Sequence, residues 1–425
     1  MVTRPILLAL LFWAGSGCGN PDEGTSGQGL LAKNEIPNAD AFDENRVASY
    51  QIDMDQAGWD AMVANPKDKS VWRQCTLTWD GTEVYYHVAI RPAGVGSAVP
   101  GFPKMGFHLK FNYFVPHRKF HDIYVPTIKM IGDHNDPVMM RRRIEDGVYR
   151  AAGIPAPRCV NCTLTVNGQS KGLYQVEEII KRGFIKKHYG RDGMSQLFSW
   201  KKLHPNDVLW LGPDPASQYT TNYFIPKLKK LDPTNPTVVV PDSEVIRGYV
   251  STVNLDPWSA LSENIDTEMF YRFMAGEVLT GEGDGYVCFN GTDPASGYRS
   301  GNFRVYFDQN NRKYVALPWD RDQGYWIPRD SVTTGFDQRI LTNQIILANP
   351  AAVSRYKEIL GGLARGAVSL DAMNARVDFI FNQIQGAAYA DTLKVIGSNS
   401  AWVDNVQTIK NYLAQHYAMI LSQTP

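Results

Sequence analysis

Gly281-Glu282-Gly283-Asp284-Gly285-Tyr286, Asn302-Phe303-Arg304-Val305-Tyr306-Phe307 and Leu317-Pro318-Trp319-Asp320-Arg321-Asp322-Gln323-Gly324 are three pieces of one stretch, Leu279 to Trp326, on which the reading of this chain turns. A helical segment ends in the first piece, which puts Asp284 on a Gly-rich turn where its carboxylate can meet a ligand. The second places an amide, Asn302, at the mouth of a strand. The third closes another strand with an Asp-x-Asp turn. Carboxylates therefore stand at the ends of an antiparallel pair, with an amide between them in sequence. Phosphoryl transfer uses this set of side chains. One carboxylate orients or deprotonates the attacking hydroxyl, while a second carboxylate and an amide oxygen hold magnesium on nucleotide phosphates. From composition alone, Asp320 and Asp322 read as caps of a turn carrying surface ion pairs, because Asp-x-Asp turns are common.

Outward from that stretch, the first half of the chain reads as strands. Tyr50 to Met54 alternates, and Gln56 to Val63 is a short helix before Asn65-Pro66. Val71 to Trp79 and Val84 to Arg91 flank Asp80-Gly81, a hairpin signal, and a further strand is expected around Phe107 to Phe111. Asp136-Pro137 has the form of a helix start, with Asp as the cap and Pro first in the helix, which should run to Ala152 and stop at Gly153. Val160 to Val166 and Leu173 to Glu178 form a second hairpin about Asn167-Gly168. Helices are expected at Ile179 to His188 and Asp266 to Leu279, and strands at Phe303 to Phe307 and Lys313 to Leu317. From Gln338 onward the pattern is helical, including Leu370 to Gln385 and Val403 to Leu421. The order, strand-rich first and helical afterwards, is that of an α+β fold with a helical C-terminal part.

The first residues bear on compartment. Arg4 precedes a short apolar run, Ile6 to Ala14, too short to span a bilayer, and small residues then lead into Cys18. This is the pattern of a signal peptide over residues 1–17 followed by a lipidated cysteine, with acyl chains on Cys18 anchoring the protein to a membrane of the cell envelope; the alternative is an ordinary signal peptide in which Cys18 is incidental. Residues 18–45 read as that cysteine and a tether, since Gly19 to Asn38 has no aromatics, and the folded domain is expected over residues 46–425. Without Arg4 the chain carries 42 basic and 43 acidic residues, so it has no electrostatic footprint for nucleic acid. Cys75, Cys159, Cys162 and Cys288 are then an even number in an oxidising compartment. The Cys159-x-x-Cys162 spacing suits zinc or redox chemistry, but no second such pair or His cluster accompanies it, and a structural disulfide of open pairing is expected.

Asp284-Gly285-Tyr286, Asn302-Phe303-x-x-Tyr306 and Pro318-Trp319-Asp320-x-Asp322 together resemble the signature of the CotH family, the spore-coat-protein-H-like atypical kinases. Earlier segments agree in order. Phe102-Pro103-Lys104 with Phe107-x-Leu109-Lys110-Phe111 is similar to that family's FPKKSYxLKF region, and Asp136-Pro137-x-Met139-Met140-Arg141-x-Arg143 to its DPSMMRNRL helix. Ile154-Pro155-Ala156-Pro157, Val166-Asn167-Gly168 and Gly172-Leu173-Tyr174-x-Val176-Glu177 resemble its hairpin. The resemblance covers about residues 46 to 360. It implies a divergent, two-lobed protein-kinase-like fold, with an N-lobe over about 46–200 and a C-lobe over about 201–425. It also implies transfer of phosphate from ATP, with Mg2+ or Mn2+, to Ser or Thr of a protein in the envelope or outside the cell. Asp284 would be the catalytic aspartate. Asp320 would bind the metal with Asn302, or with Asn290 if the alignment slips across Gly291 to Gly301, and Asp322 would assist the metal or brace the turn. Lys104 would contact the nucleotide phosphates, positioned by Glu177, although a solvated strand lysine is the simpler reading. Ser97 and the Gly94-Val95-Gly96 loop would approach the phosphates, and at least one of Arg141, Arg142 and Arg143 would face the cleft, with Arg141 and Arg143 matching the family's arginines.

Three departures accompany the resemblance. Glu282 stands where the family has Asn two residues before the catalytic aspartate. The RGNSS stretch is altered to Arg91-Pro92-Ala93-Gly94-Val95-Gly96-Ser97. The lysine that usually follows a Leu-Tyr pair is displaced, Leu197-Phe198 being followed by Ser199 and then Trp200-Lys201-Lys202. These leave two further functions in view: a kinase-like surface protein that binds without turnover, and a metal-dependent hydrolase using the same carboxylates. No Ser-His or Cys-His nucleophile motif supports other hydrolytic chemistry.

Overall fold

The computed structural model describes residues 40–94, 98–121, 126–190, 196–200, 224–228, 249, 258–287, 301–326 and 328–425. The fold is α+β. Seven strands, β1 (Ala48–Met54), β2 (Arg73–Trp79), β3 (Glu83–Pro92), β4 (Phe107–Lys110), β5 (Thr127–Ile131), β6 (Cys159–Val166) and β7 (Gln169–Glu178), close into a barrel in the order β1-β2-β3-β4-β5-β7-β6. All neighbours are antiparallel except the closing pair, β1 and β6, which run parallel from Ala48↔Cys162 to Ile52↔Val166. Alternation sets the two faces of this barrel. Ile52, Leu77, Ile90, Leu109, Met130, Leu164 and Val176 share its buried apolar cluster.

Helix α1 (Gln56–Ala64) follows β1, and the Asp55 carboxylate accepts from Gly58 N at its start. Helix α2 (Arg141–Ala151) packs against β6, while α3 (Arg182–Tyr189) follows β7. A second sheet has the order β11-β10-β8-β9, from β8 (Leu197–Trp200), β9 (Phe224–Leu228), β10 (Phe303–Asp308) and β11 (Lys313–Pro318). Helices α4 (Trp258–Asn264) and α5 (Thr267–Thr280) pack on β11, α6 (Pro350–Arg365) packs on α5, α7 (Leu370–Ala390) reaches β7, and α8 (Asn399–Gln423) packs on α6 and α7. The last three have sequence-encoded starts: Asn349, Ser369 and Ser398 each accept a hydrogen bond from a first-turn backbone N–H. One large apolar cluster joins α2, α5 and α6 to α8. Among the described residues no helix is long and apolar enough to cross a membrane.

Several expectations need correction. The helix expected from Asp136 begins at Arg141, because Met139 has φ +58° and breaks a continuous helical path. Asp136 instead accepts from Val138 N and Arg141 N, ordering the turn that leads into α2. Strand β5 was not foreseen. The packed body also begins before residue 46: Ala41, Phe42 and Glu44 are buried.

No disulfide joins the described cysteines. Cys75, Cys159 and Cys162 are buried free thiols. Cys159 and Cys162 are three positions apart on β6, so they point to opposite faces and cannot be bridged. Cys18, Ser97, Cys288, Asn290 and the boundary expected near residue 200 lie outside the described residues or at their margin.

Candidate active site

The Asp284 turn is built from below by a buried ion pair. Helix α5 ends at Gly281 with φ +60°, where an added Cβ would run into the Tyr412 hydroxyl, so glycine is required there. The chain then folds back over Glu277, whose Oε1 accepts from Tyr286 N (3.2 Å) and pairs with Arg321 Nη1 (2.5 Å). Both side chains of that pair are fully buried. Arg321 also lies over the Tyr149 ring. The arginine inside the Asp-x-Asp motif thus points into the core and holds the two loops together.

Backbone hydrogen bonds fasten the three sequence pieces to one another. Gly283 N donates to Gln323 O (3.1 Å), Gly301 N to Gly285 O (2.9 Å) and Trp319 N to Asn302 O (3.1 Å). The Asn302 side chain donates through Nδ2 to Asp284 Oδ2 at 3.0 Å. Both Asn302 (φ +51°) and Asp320 (φ +59°) occupy the left-handed region, which Asn and Asp tolerate better than most residues. Asp284, Asn302, Asp320 and Asp322, four residues singled out from sequence, are therefore brought to one place.

Glu282 does not enter this site as an exposed carboxylate. It is fully buried, and its Oε1 accepts from Asp284 N at 2.8 Å. It hydrogen-bonds Glu145 of α2, whose Oε1 accepts from Gly324 N at 3.0 Å. Burial and the neighbouring Glu282 push Glu145 well above the ordinary carboxyl range, and burial raises Glu282 too. The pair grips the Asp284 turn on one side and the Asp320–Gly324 loop on the other.

Glu177 is in the site, but its lysine is Lys129. Across the outer face of the barrel, Arg91, His108, Lys129 and Glu177 form a cross-strand row in register on β3, β4, β5 and β7. Lys129 Nζ lies 3.1 Å from Glu177 Oε2 and 2.9 Å from Asp320 Oδ1. Burial alone would depress its pKa, but Asp320 and Glu177 outweigh it and hold the group above the usual lysine range. Lys104 is elsewhere: its Nζ donates to Leu173 O (2.6 Å) and Asp391 Oδ2 (2.7 Å), with both charged side chains buried. It faces the start of the α7–α8 connection and cannot reach the carboxylates.

The arginine facing the site is Arg142. Nη1 is 3.0 Å from Glu177 Oε1 and 2.9 Å from Asp320 Oδ1, and Nη2 is 2.7 Å from Asp322 Oδ2. Arg141 stays with Asp136, and Arg143 is drawn to Glu44, Asn161 and Gln383. Burial, then the nearby Asp320 and Glu282, push the Asp322 carboxyl up to about 7 against the opposing pull of Arg142.

A second cation was missed. Arg304 of β10 is buried, lies 4.1 Å over the Trp319 ring, and its Nε and Nη1 have no protein acceptor. Burial lowers its pKa to about 10 while Asp320 and Glu177 oppose that shift. Lys69, Arg91 and Lys181 also crowd this face; with burial leading, they and Lys129 hold His108 far below its ordinary pKa and hence neutral. A buried guanidinium with two nitrogens lacking a protein acceptor, among further cations, is an environment for an anionic ligand.

Asp320, Asp322 and Asn302 offer the hard oxygen donors magnesium prefers, so the donor chemistry fits a divalent ion. Among the described residues, no three His, Cys, Asp or Glu side chains already form a metal centre. Glu177, Asp320 and Asp322 are joined through Arg142 instead.

Known proteins show where this arrangement belongs. The chain is similar to inner spore coat protein H of Bacillus subtilis (strain 168), with 20% identity over 311 residues that cover 70% of this chain and 77% of that protein. Residues 95–420 match the family described as CotH kinase protein, a span that takes in β4, the Glu177 hairpin, both carboxylate loops and nearly all of the helical part. The chain belongs to the CotH kinase protein family.

Proposed function

We propose that this protein is an atypical kinase that transfers the terminal phosphate of ATP, with Mg2+ or Mn2+, to a Ser or Thr hydroxyl of a protein. The observation that carries the reading is the convergence of the Asp284–Asn302 pair with Asp320, Asp322, Glu177 and Lys129 on one face of the barrel. Asp284 accepts the hydroxyl proton, and the amide of Asn302 fixes its carboxylate. Asp320, with Asn302 and Asp322, is the donor set for the divalent ion, which when bound neutralises charge on the phosphates. Lys129 and Arg304 meet the phosphate oxygens, and Glu177 keeps Lys129 in place. Kinase-like fold organisation into two lobes belongs to the same reading, with the barrel as one lobe and the helical part as the other. So does export: a signal over residues 1–17 and lipidation at Cys18 would present the enzyme at the cell envelope, beside protein substrates there.

The test is incubation of the purified protein with labelled ATP, Mg2+ or Mn2+ and a generic protein substrate. Incorporation should vanish in Asp284→Ala, Asp320→Ala and Lys129→Met, and persist in folded Lys104→Met. Equal labelling in wild type and both aspartate variants would reject the site. The competing function, a surface protein that keeps the fold without turnover, draws support from Arg142, which already balances the carboxylates of the donor set. Absence of both transfer and an ATP-dependent melting shift in the wild type would favour it. Cys18→Ser should release the protein from membranes; retention would count against the anchor.

A further inference from the structure

Arg142 is placed between carboxylates in a way that a flexible surface arginine is not. It is the second residue of α2 and 2% exposed. Its neighbours restrain the backbone on both sides: Asp136 accepts from Arg141 N, and Arg143 is bound to Glu44, Asn161 and Gln383. These bonds fix the start of the helix, and burial with three carboxylate contacts fixes the guanidinium. One nitrogen meets Glu177 and Asp320, and the other meets Asp322. A planar fork suits this work because its donors diverge at fixed angles toward separate acceptors.

Opposite charges alternate around it, with Asp146 and Lys69 also acting on Arg142 and Asp320. Glu177, Asp320 and Asp322 are the three acids, while Arg142 and Lys129 make the ion pairs and Arg304 adds a third cation interacting with Asp320 and Glu177. A divalent ion arriving alone therefore meets two carboxylates that Arg142 already contacts.

We infer that Arg142 is a built-in cation that stands in for part of the charge of a divalent metal between Asp320 and Asp322, so that the nucleotide-free protein binds free Mg2+ or Mn2+ weakly. This rests on the reading of Asp320 and Asp322 as metal carboxylates. Metal enters this site chiefly as the counter-ion of phosphates that also meet Lys129 and Arg304. Arg142 is accordingly a positioning residue that sets metal affinity through the carboxylates it holds.

The test measures Mn2+ binding to the purified full chain without nucleotide, by electron paramagnetic resonance of free Mn2+. Arg142→Gln should bind Mn2+ at least tenfold more tightly than wild type, and adding Asp320→Asn should erase the gain. Arg142→Lys, which keeps the charge, should remain within about threefold of wild type. Equal affinities for wild type and Arg142→Gln, or weaker binding by the variant, would overturn the inference. If Arg142→Gln does not fold, Arg142→Gln with Asp322→Asn removes the opposed charges together. That double variant must bind Mn2+ more tightly than Asp322→Asn alone, and failure to do so also overturns the inference. Turnover is not read, so the two readings fail separately. A predicted Mn2+ pattern without phosphoryl transfer removes the kinase reading, while transfer with unchanged Mn2+ affinity removes this one.

Discussion

Replacing Lys104 by Met should destabilise the fold by about 3 kcal/mol, the lower end of the range for breaking a buried pair by removing one partner. The magnitude follows from what is left behind. Lys104 and Asp391 are 1% and 0% exposed in their side chains, so neither charge can be rehydrated in place. The lower end applies because Asp391 keeps two backbone donors, Leu173 N at 3.0 Å and Leu393 N at 2.8 Å. The Leu173 carbonyl loses a 2.6 Å hydrogen bond from Nζ. Lys129→Met differs, because Glu177 keeps Arg142 and the 40%-exposed Asp320 side chain can take up water. Its destabilisation should be smaller, about 1.5–2 kcal/mol, the lower part of the range for hydrogen bonds to charged groups. Urea unfolding of wild type, both variants and Lys104→Met with Asp391→Asn gives the comparison, including the coupling energy of the buried pair. A Lys104→Met loss below 1 kcal/mol, or a larger loss in Lys129→Met, would refute the assignment of Lys104 to structure and Lys129 to the site.

Gly285→Ala should abolish phosphoryl transfer and destabilise by about 1–3 kcal/mol, since the new methyl collides with Glu277 and Arg321, the pair beneath the Asp284 turn; retained activity in a folded variant would reject that support role. Glu178, held by Arg158, has its pKa lowered to about 2 from 4.5, because Arg158 and neighbouring cations outweigh the opposing effect of burial. Its stabilisation, about 3 kcal/mol at 1.36 kcal/mol per unit, is present above the ordinary carboxyl pKa and lost as pH falls through about 2. The stability gap between wild type and Glu178→Gln should thus close on acidification, and a gap constant from pH 6 to pH 2 would exclude this linkage. Thiol titration should find Cys75, Cys159 and Cys162 unreactive in the native protein and reactive in denaturant without reduction; a requirement for reductant at these positions would show a bridge.

The parts of the site legible from sequence were those set by local chemistry. A Gly-rich turn after a helix, an amide before a strand and an Asp-x-Asp turn after another are visible in a few residues each, and those loops meet. The lysine was not legible in this way. Lys129 becomes a site residue only because β4, β5 and β7 lie side by side, placing it opposite Glu177, and β5 was missed altogether. A signal existed in Pro126 and Gly132, which bracket Thr127 to Ile131, with Ile128 and Met130 alternating inward. The choice among three arginines was a matter of helical phase. Successive residues point about 100° apart, so a helix assigned from Pro137 rather than Arg141 leaves the facing arginine undetermined. Glu145 was equally hidden, since its partner Glu282 is distant in the chain.

Glu44 carries a practical consequence for anyone producing this protein. Its carboxylate meets Arg143, Arg150 and Arg376, and its backbone carbonyl receives Arg143 and Gln383. A shortened form started at residue 46 would strand three guanidinium groups against one another in the interior. Expression should begin upstream of Asp40. An insoluble product from a later start would reflect a missing counter-ion rather than an intrinsically unstable fold.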